Sequence, residues 1–566
     1  MDHDIEFHNV TFTYEDAPTP ALVDIDLAIK PGETVLITGP SGSGKTTLVS
    51  CLIGLVPQFH EGRLEGKITV LGRDIRRTRI GVMASKVGLV FQDPESQLVT
   101  AEVIDEVAFG PENLGIPRQE IEQRVKDAIK VARLEGYEQR EPINLSGGEQ
   151  QATAIAAIYA MHPEIYVMDE PTSNLDPLGT RQILSLIVDI AKKRGKTLVI
   201  VEHKLEEVLP LVDRVVVIDK GRIIRDGPVN DVLAQGDIPG VFTRPPLVQL
   251  ADRLGLDTVP LTAEEIEPQL TPRLKPGPAP LPPPNGIEPA GEPVIEVADV
   301  WYSYGQDTPA LRGVNLTVRQ GEFVAIMGRN GSGKTTLVRH LIGLTQPDRG
   351  TVTVLGKPVA QTPITELAQR VGFCFQNPIH QMVSFYVKEE LAFGMKVRQY
   401  SDDRIAQASQ EALAFVGMSD YMEAEVMSLG KGLMQRLALA SVLTLQPDIL
   451  IVDEPATGQD PQMTVEIFDL IKRLNEQGKT VLLITHKFGF AAQYAPRAVV
   501  MNRGQVTFDG AFSDIVADQA FLHTNSLDQL EISRLAARLG PYGIPPWIVG
   551  VDHMLSELDR ATRQPA

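Results

Sequence analysis

Short apolar runs alternate along the chain with longer stretches in which apolar residues recur every three to four positions. Thr34–Thr38, Ile165–Met168 and Thr197–Val201 are rich in β-branched residues. Being apolar at successive positions, they predict strands covered on both faces. Val215–Ile218 and Val481–Ile484 read the same way, and Glu149–Met161 has helical spacing. Strands alternating with helices predict an α/β fold on a mainly parallel sheet. No apolar run approaches the roughly 18–20 residues that cross a bilayer. The start, Met1-Asp2-His3-Asp4, is acidic and polar and predicts no signal peptide.

The pattern occurs twice. ITGPSGSGKTTLV is echoed by IMGRNGSGKTTLV, FQDPESQLV by FQNPIHQMV, VMDEP by VDEP, VEHK by THK, and DKGRIIRDG by NRGQVTFDG, in the same order and at nearly the same spacing. Repeats this long indicate a duplicated domain and not a solenoid. A chain of 566 residues exceeds one core, which fits two large domains. Between the copies lies LKPGPAPLPPPNG, a Pro/Gly-rich spacer that favours extended geometry. Each copy ends in a tail with helical apolar spacing, RPPLVQLADRLGL and EISRLAARLGPYG. The expected organisation is a first domain at 1–240 with an appendage at 241–271, a linker at 272–293, and a second domain at 294–525 with an appendage at 526–566.

Composition narrows the partners. With 43% hydrophobic and 22% charged residues the chain is ordinary globular protein, and its net charge of -20 disfavours non-specific nucleic-acid binding. Neither Cys51 nor Cys374 belongs to a CxxC pair, so both are expected as buried core thiols in a reducing compartment.

Two stretches carry phosphate chemistry. Gly39-Pro40-Ser41-Gly42-Ser43-Gly44-Lys45-Thr46, followed by Thr47, and Gly328-Arg329-Asn330-Gly331-Ser332-Gly333-Lys334-Thr335, followed by Thr336, both match GxxxxGK[ST]. Such glycines let backbone N–H groups wrap phosphate oxygens at a helix N-terminus; the Lys reaches the β- and γ-phosphates and the Thr hydroxyl ligates Mg²⁺. Asp169-Glu170 and Asp453-Glu454 each end an apolar run. An isolated acidic pair is ordinarily a solvated turn. Downstream of a phosphate loop, the Asp suits the Mg²⁺ shell and the Glu can polarise an attacking water. His203 and His486 end matched strands and are expected to contact the γ-phosphate.

The order of phosphate loop, FQ, LSGG, DEP and His resembles the ABC ATPase family over most of both halves. Asn144-Leu145-Ser146-Gly147-Gly148-Glu149 is similar to its LSGGQ signature. The resemblance implies two P-loop NTPase domains in tandem. Each would have a mainly parallel sheet, an antiparallel β subdomain, a helical signature subdomain and a small helical tail. It further implies ATP hydrolysis with Mg²⁺, Gln92 and Gln376 sensing the metal and water, and Tyr14 and Tyr304 stacking on adenine. The two domains would pair head to tail, each ATP lying between one phosphate loop and the other domain's signature.

The halves are unequal. Aligned through QRLALA, the second signature reads Leu429-Gly430-Lys431-Gly432-Leu433: the serine is lost and a lysine replaces a glycine. Ala152 stands in the first copy where Arg436 stands in the second. Head-to-tail pairing would then complete the Lys334 site with Ser146, Gly147 and Gly148, and leave the Lys45 site facing a degenerate loop that turns ATP over slowly.

Gln92-Asp93-Pro94-Glu95-Ser96-Gln97 and Gln376-Asn377-Pro378-Ile379-His380-Gln381 resemble the FQNPxxQ pattern of energy-coupling-factor importer ATPases. That resemblance implies a peripheral subunit on the cytoplasmic face of the cell membrane. Its partners would be a T-type coupling protein and a substrate-binding membrane protein for a vitamin or transition-metal ion. Glu102, Asp105 and Glu106 are expected to receive basic coupling helices. The alternative is a soluble twin-ABC ATPase acting on ribosomes or nucleic acid.

Overall fold

The computed structural model describes residues 3–15, 17–173, 175–277, 280, 291–305, 309–525, 527 and 529–563. The chain divides into two compact units, Met1–Leu261 and Thr262–Ala566. Most of the expected linker, residues 278–279 and 281–290, lies outside the described residues.

The described residues of the first unit form ten strands: β1 Ile5–Tyr14, β2 Leu22–Ile29, β3 Thr34–Thr38, β4 Gly62–Val70, β5 Arg73–Asp74, β6 Val87–Val90, β7 Ile165–Asp169, β8 Thr197–Val201, β9 Arg214–Asp219 and β10 Arg222–Pro228. They form a six-stranded sheet in the order β10-β9-β3-β8-β7-β6 and a four-stranded sheet in the order β2-β1-β4-β5. Neighbours in the larger sheet run parallel except β10 beside β9. Every residue of β3, β7 and β8 is buried, as central parallel strands covered on both faces require. The smaller sheet is antiparallel. Its inward Ile5, Phe7, Val10 and Phe12 share a core with Leu48 and Val49 of the helix Lys45–Leu52.

The second unit repeats this plan with β11 Pro293–Ser303, β12 Pro309–Arg319, β13 Phe323–Met327, β14 Arg349–Val354, β15 Lys357–Pro358, β16 Val371–Cys374, β17 Ile449–Asp453, β18 Thr480–Ile484, β19 Arg497–Asn502 and β20 Gln505–Ala511. Its sheets run β16-β17-β18-β13-β19-β20 and β12-β11-β14-β15.

A helical layer carries each signature. In the first unit the helices Val103–Asn113, Arg118–Val131 and Gly147–Ala160 bury Val107, Val125, Ile129 and Ile155 together. Val387–Val397, Asp402–Phe415 and Lys431–Leu443 are their counterparts. The helix Pro177–Arg194 shows why such elements start and stop where they do. Asp176 accepts from Gly179 N–H at 2.8 Å, Pro177 follows it, and Gly195 ends the helix at φ 60 after three basic residues.

The appendage expected at 241–271 divides. Phe242 and Val248 pack into the first unit's core, and Arg244 bonds Asp237 and Asp252. The helix Ala263–Leu270 instead belongs to the second unit, beside the helix Glu531–Arg538. There Ala263 N–H donates to Glu531 at 2.8 Å, and Arg534 and Arg538 pair with Glu264 at 2.8 and 2.9 Å. Ile266 and Leu270 are buried, so apolar contact holds the helix and the exposed ion pairs fix its orientation. Cys51 and Cys374 are both buried thiols; burial pushes Cys374 up to about 12.

Candidate functional site

In each unit the phosphate loop, the FQ stretch, the Asp-Glu pair and the histidine follow the C-terminal ends of parallel strands, where open α/β sheets bind ligands, whereas the signature opens a helix of the helical layer. β3 runs into the loop 39–44, which enters the helix Lys45–Leu52 through Gly44 at φ 105. Gly39 cannot be replaced without displacement: at φ 145, a Cβ there would fall 2.0 Å from the Ile218 carbonyl oxygen. Gly328 repeats this at φ 140, with a Cβ 2.1 Å from the Met501 carbonyl oxygen. Lys45 is buried, and its ammonium donates to the Gly39 and Pro40 carbonyls at 3.0 and 2.8 Å. Lys334 does the same to Gly328 and Arg329 at 2.7 and 3.0 Å. Each loop thus curls around its own lysine, placing that charge inside the cradle of backbone N–H groups.

Asp169 ends β7 and Asp453 ends β17, both buried. Burial, with Glu170 adjacent, pushes the Asp169 carboxyl up to about 6; burial and Glu454 push Asp453 up to about 7. Thr46 hydrogen-bonds Asp169, and Thr335 bonds Asp453. Among the described residues Asp169 Oδ1 is buried without a hydrogen-bond partner. A buried anionic oxygen lacking a donor, beside a threonine hydroxyl, fits a hard divalent cation such as Mg²⁺, which takes oxygen ligands. Bound there, the cation would neutralise phosphate charge.

The glutamates are strained and held. Glu170 sits at φ 47 and Glu454 at φ 46, left-handed conformations that a non-glycine residue adopts at a cost. Glu170 accepts from Gln92 Nε2 at 2.7 Å and lies 3.0 Å from His203 Nε2. Glu454 lies 2.8 Å from His486 Nδ1 and also accepts the His486 backbone N–H at 3.3 Å. Burial alone would raise the Glu454 carboxyl, but His486 holds it below its ordinary value, in the ionised form that accepts a proton from water. Gln92 is half-buried against its glutamate, whereas Gln376 is exposed in the equivalent loop.

The second glutamine of each FQ stretch closes that loop. Gln97 accepts from Phe91 N–H at 3.0 Å, and Gln381 from Phe375 N–H at 3.2 Å. Asp93 and Asn377 cap the intervening turns through Glu95 and Ile379 N–H. These stapling contacts fix the ends of the stretch that carries Gln92 or Gln376.

Tyr14 and Tyr304 reach the phosphate-loop helices: their hydroxyls lie 2.9 Å from Thr47 Oγ1 and 3.3 Å from Thr336 Oγ1. Ser146, Gly147 and Gly148 open the helix Gly147–Ala160 with a capping box in which Ser146 N–H and Oγ donate to Glu149 at 2.8 and 2.7 Å. In the second unit Gly430 occupies the N-cap position and Lys431 the first helical position.

Glu106 departs from expectation. It is buried, and one carboxylate oxygen accepts Val99 N–H, Thr100 N–H and Thr100 Oγ at 2.9, 2.8 and 2.9 Å. Glu390 holds Val383 and Ser384 N–H likewise, both at 2.9 Å. Glu106 therefore folds the turn after the FQ loop and is not offered to a partner. Asp105 is exposed and Glu102 half-buried.

Glu202 carries no role in the motif pattern, yet it is buried behind His203. It accepts from Thr172 Oγ and, at 3.1 Å, from the His203 backbone N–H. Thr485 stands at the matching place. The sequence showed this only as VEHK against THK.

A phosphate cradle, a buried aspartate beside threonine and a strained glutamate held by histidine define a P-loop ATPase site, built once in each unit. The ABC transporter family model matches residues 22–173 and 311–457. A relative from Caldanaerobacter subterraneus subsp. tengcongensis, named provisionally as an ABC transporter ATP-binding protein, is 38% identical over 95% of this chain and 97% of its own. One from Methanosarcina mazei with the same provisional name is 39% identical over 94% of this chain and 93% of its own. The solved structure of cbiO1 from Clostridium perfringens, described as part of the ABC transporter complex cbiONQ, aligns at 28% identity with TM-score 0.39, covering 44% of this chain and 98% of that one. The chain belongs to the ABC transporter family of ATP-binding proteins: it is a tandem-domain ABC ATPase that uses ATP and Mg²⁺.

Proposed function

We propose that this ATPase energises a membrane importer of the energy-coupling-factor type, its two units pairing head to tail around ATP. The observation that carries this reading is the pair of FQ loops. Both have the pattern that resembles such importers, and both are stapled by their second glutamine. No described helix is long and apolar enough to cross a membrane. Work at a bilayer would therefore run through other chains: a T-type coupling protein and a substrate-binding membrane protein.

The face beside the first loop suits such a partner. A groove of about 940 Å³ lies between the helices Val103–Asn113 and Arg118–Val131, its lining mixing Asp105 and Glu112 with Lys126 and Lys130 over Ile121 and Val125. Half-buried Glu102 and exposed Asp105 add negative charge at the start of the helix Val103–Asn113. A basic amphipathic segment would find both apolar contact and opposite charge there.

The full-length chain isolated from its own membranes is expected to bring along small polytopic membrane proteins. Glu102→Lys with Asp105→Lys should release them while ATP binding persists. Ribosomes or DNA in their place would favour the soluble twin-ABC alternative.

A further inference from the structure

The first unit contains an insertion beside Tyr14. Gly54–Gly66 is five residues longer than Gly343–Gly350, and all four bounding glycines are left-handed. The pairs are structurally equivalent: a Cβ on Gly66 would fall 2.2 Å from the Asn9 carbonyl oxygen, and one on Gly350 2.2 Å from that of Asp299. The additional chain extends β4, so that Gly62, Arg63 and Leu64 pair with Tyr14, Thr13 and Phe12. In the second unit the described pairing reaches Trp301 with Arg349.

The insertion is ordered from within. Val56 is fully buried, and Gln58 Nε2 donates to the Ile75 and Thr78 carbonyls at 2.6 and 2.8 Å. Phe59 and His60 N–H both donate to the Leu55 carbonyl, at 2.8 and 2.9 Å. This anchored turn nevertheless holds Phe59 69% exposed, with His60 exposed beside it. Their rings complete an edge-to-face row that leads outward from the core. Phe12 and Tyr14 centroids are 4.9 Å apart, Tyr14 and His60 6.4 Å, and His60 and Phe59 5.0 Å. Around Tyr304 the row runs inward instead: Tyr302 lies 5.1 Å from it and 4.8 Å from fully buried His340.

We infer that Phe59 and His60 form a second aromatic wall of the first unit's base subsite, so that this site holds the adenine of ATP more tightly than the second does. The inference rests on the reading that Tyr14 carries the base. Aromatic rings bind nucleobases by stacking, and rings carried on a turn whose backbone is already fixed by hydrogen bonds need only settle their side-chain torsions on binding. An outward wall also explains why an internally stapled turn exposes a phenylalanine.

The test uses full-length chain carrying Lys334→Ala, which confines binding to the first site, with calorimetric titration of Mg-ATP and of magnesium tripolyphosphate. Phe59→Ala with His60→Ala is expected to weaken ATP roughly tenfold and leave tripolyphosphate unchanged. Unchanged ATP affinity overturns the inference. So does equal weakening of both ligands, because the base would then play no part. Tyr14→Ala separates the two readings. If it weakens ATP while the double variant does not, only the wall fails; if it has no effect, the base placement fails with it. In chain carrying Lys45→Ala, the double variant should leave ATP binding at the second site unaltered.

Discussion

The two signature helices begin in opposite ways. Ser146 caps the first through a reciprocal box with Glu149, putting a hydroxyl and an acid at the positive end of the helix dipole. Gly430 and Lys431 open the second with no capping side chain and a cation at that same end. The second helix is secured further along: Arg436 bonds the Val416 carbonyl at 3.1 Å and pairs with Glu466, where the first has Ala152. The lesson is that the second unit keeps its fold through different contacts while lacking the serine and the capping acid at the start of its signature helix. Each unit keeps its Asp-Glu pair with a histidine on the glutamate, so the proposed inequality lies in what each signature loop would offer a nucleotide across the head-to-tail pairing.

The sharpest way to break this comparison is at the glutamates. Glu454→Gln should lower steady-state ATPase by about 10²–10⁴, the cost of removing a positioned general base, and Glu170→Gln by far less. Equal losses in a phosphate-release assay would mean equal sites. Next comes the signature. Gly147→Lys, which copies Lys431 into the first loop, should reduce turnover by about 10² if preorganised donors are lost there. The mirror change, Lys431→Gly, should alter turnover by no more than a few-fold.

Glu202 sharpens the comparison through stability. Burial pushes its carboxyl up to about 8, so the folded state binds a proton that the unfolded chain releases near its ordinary value. Its stabilising proton is fully present below about 4.5 and is lost as pH rises towards 8. Unfolding free energy should therefore fall by on the order of a few kcal/mol between pH 5 and 8. Glu202→Gln, which imitates the protonated form, should flatten that part of the Tm-against-pH profile. An unchanged profile would mean that Glu202 titrates normally.

What sequence disclosed and what it hid follow from range. The phosphate loops, Asp169, Asp453, the glutamates and the flanking strands were legible because each depends on a few adjacent residues at fixed spacing. The helix expected at Glu149–Met161 runs Gly147–Ala160 for the same reason. Glu106 was misread because burial depends on the turn at Val99 and Thr100 folding back, which charge pattern does not reveal. The split of 241–271 was hidden because the partner of Ala263–Leu270 lies in the far C-terminal tail. The ring row of the insertion at 54–66 was hidden because it exists only once β4 pairs with β1.

The central claim is that the two sites of one chain handle ATP at different rates. Its most direct test is to load full-length protein with γ-labelled and base-labelled Mg-ATP, let it turn over briefly, remove free nucleotide rapidly, and measure bound triphosphate and diphosphate per chain. The account predicts that one nucleotide persists as ATP while the other has become ADP, and that Lys45→Ala removes the persistent ATP. Loss of both triphosphates at a single rate, or persistence that survives Lys45→Ala, would contradict it.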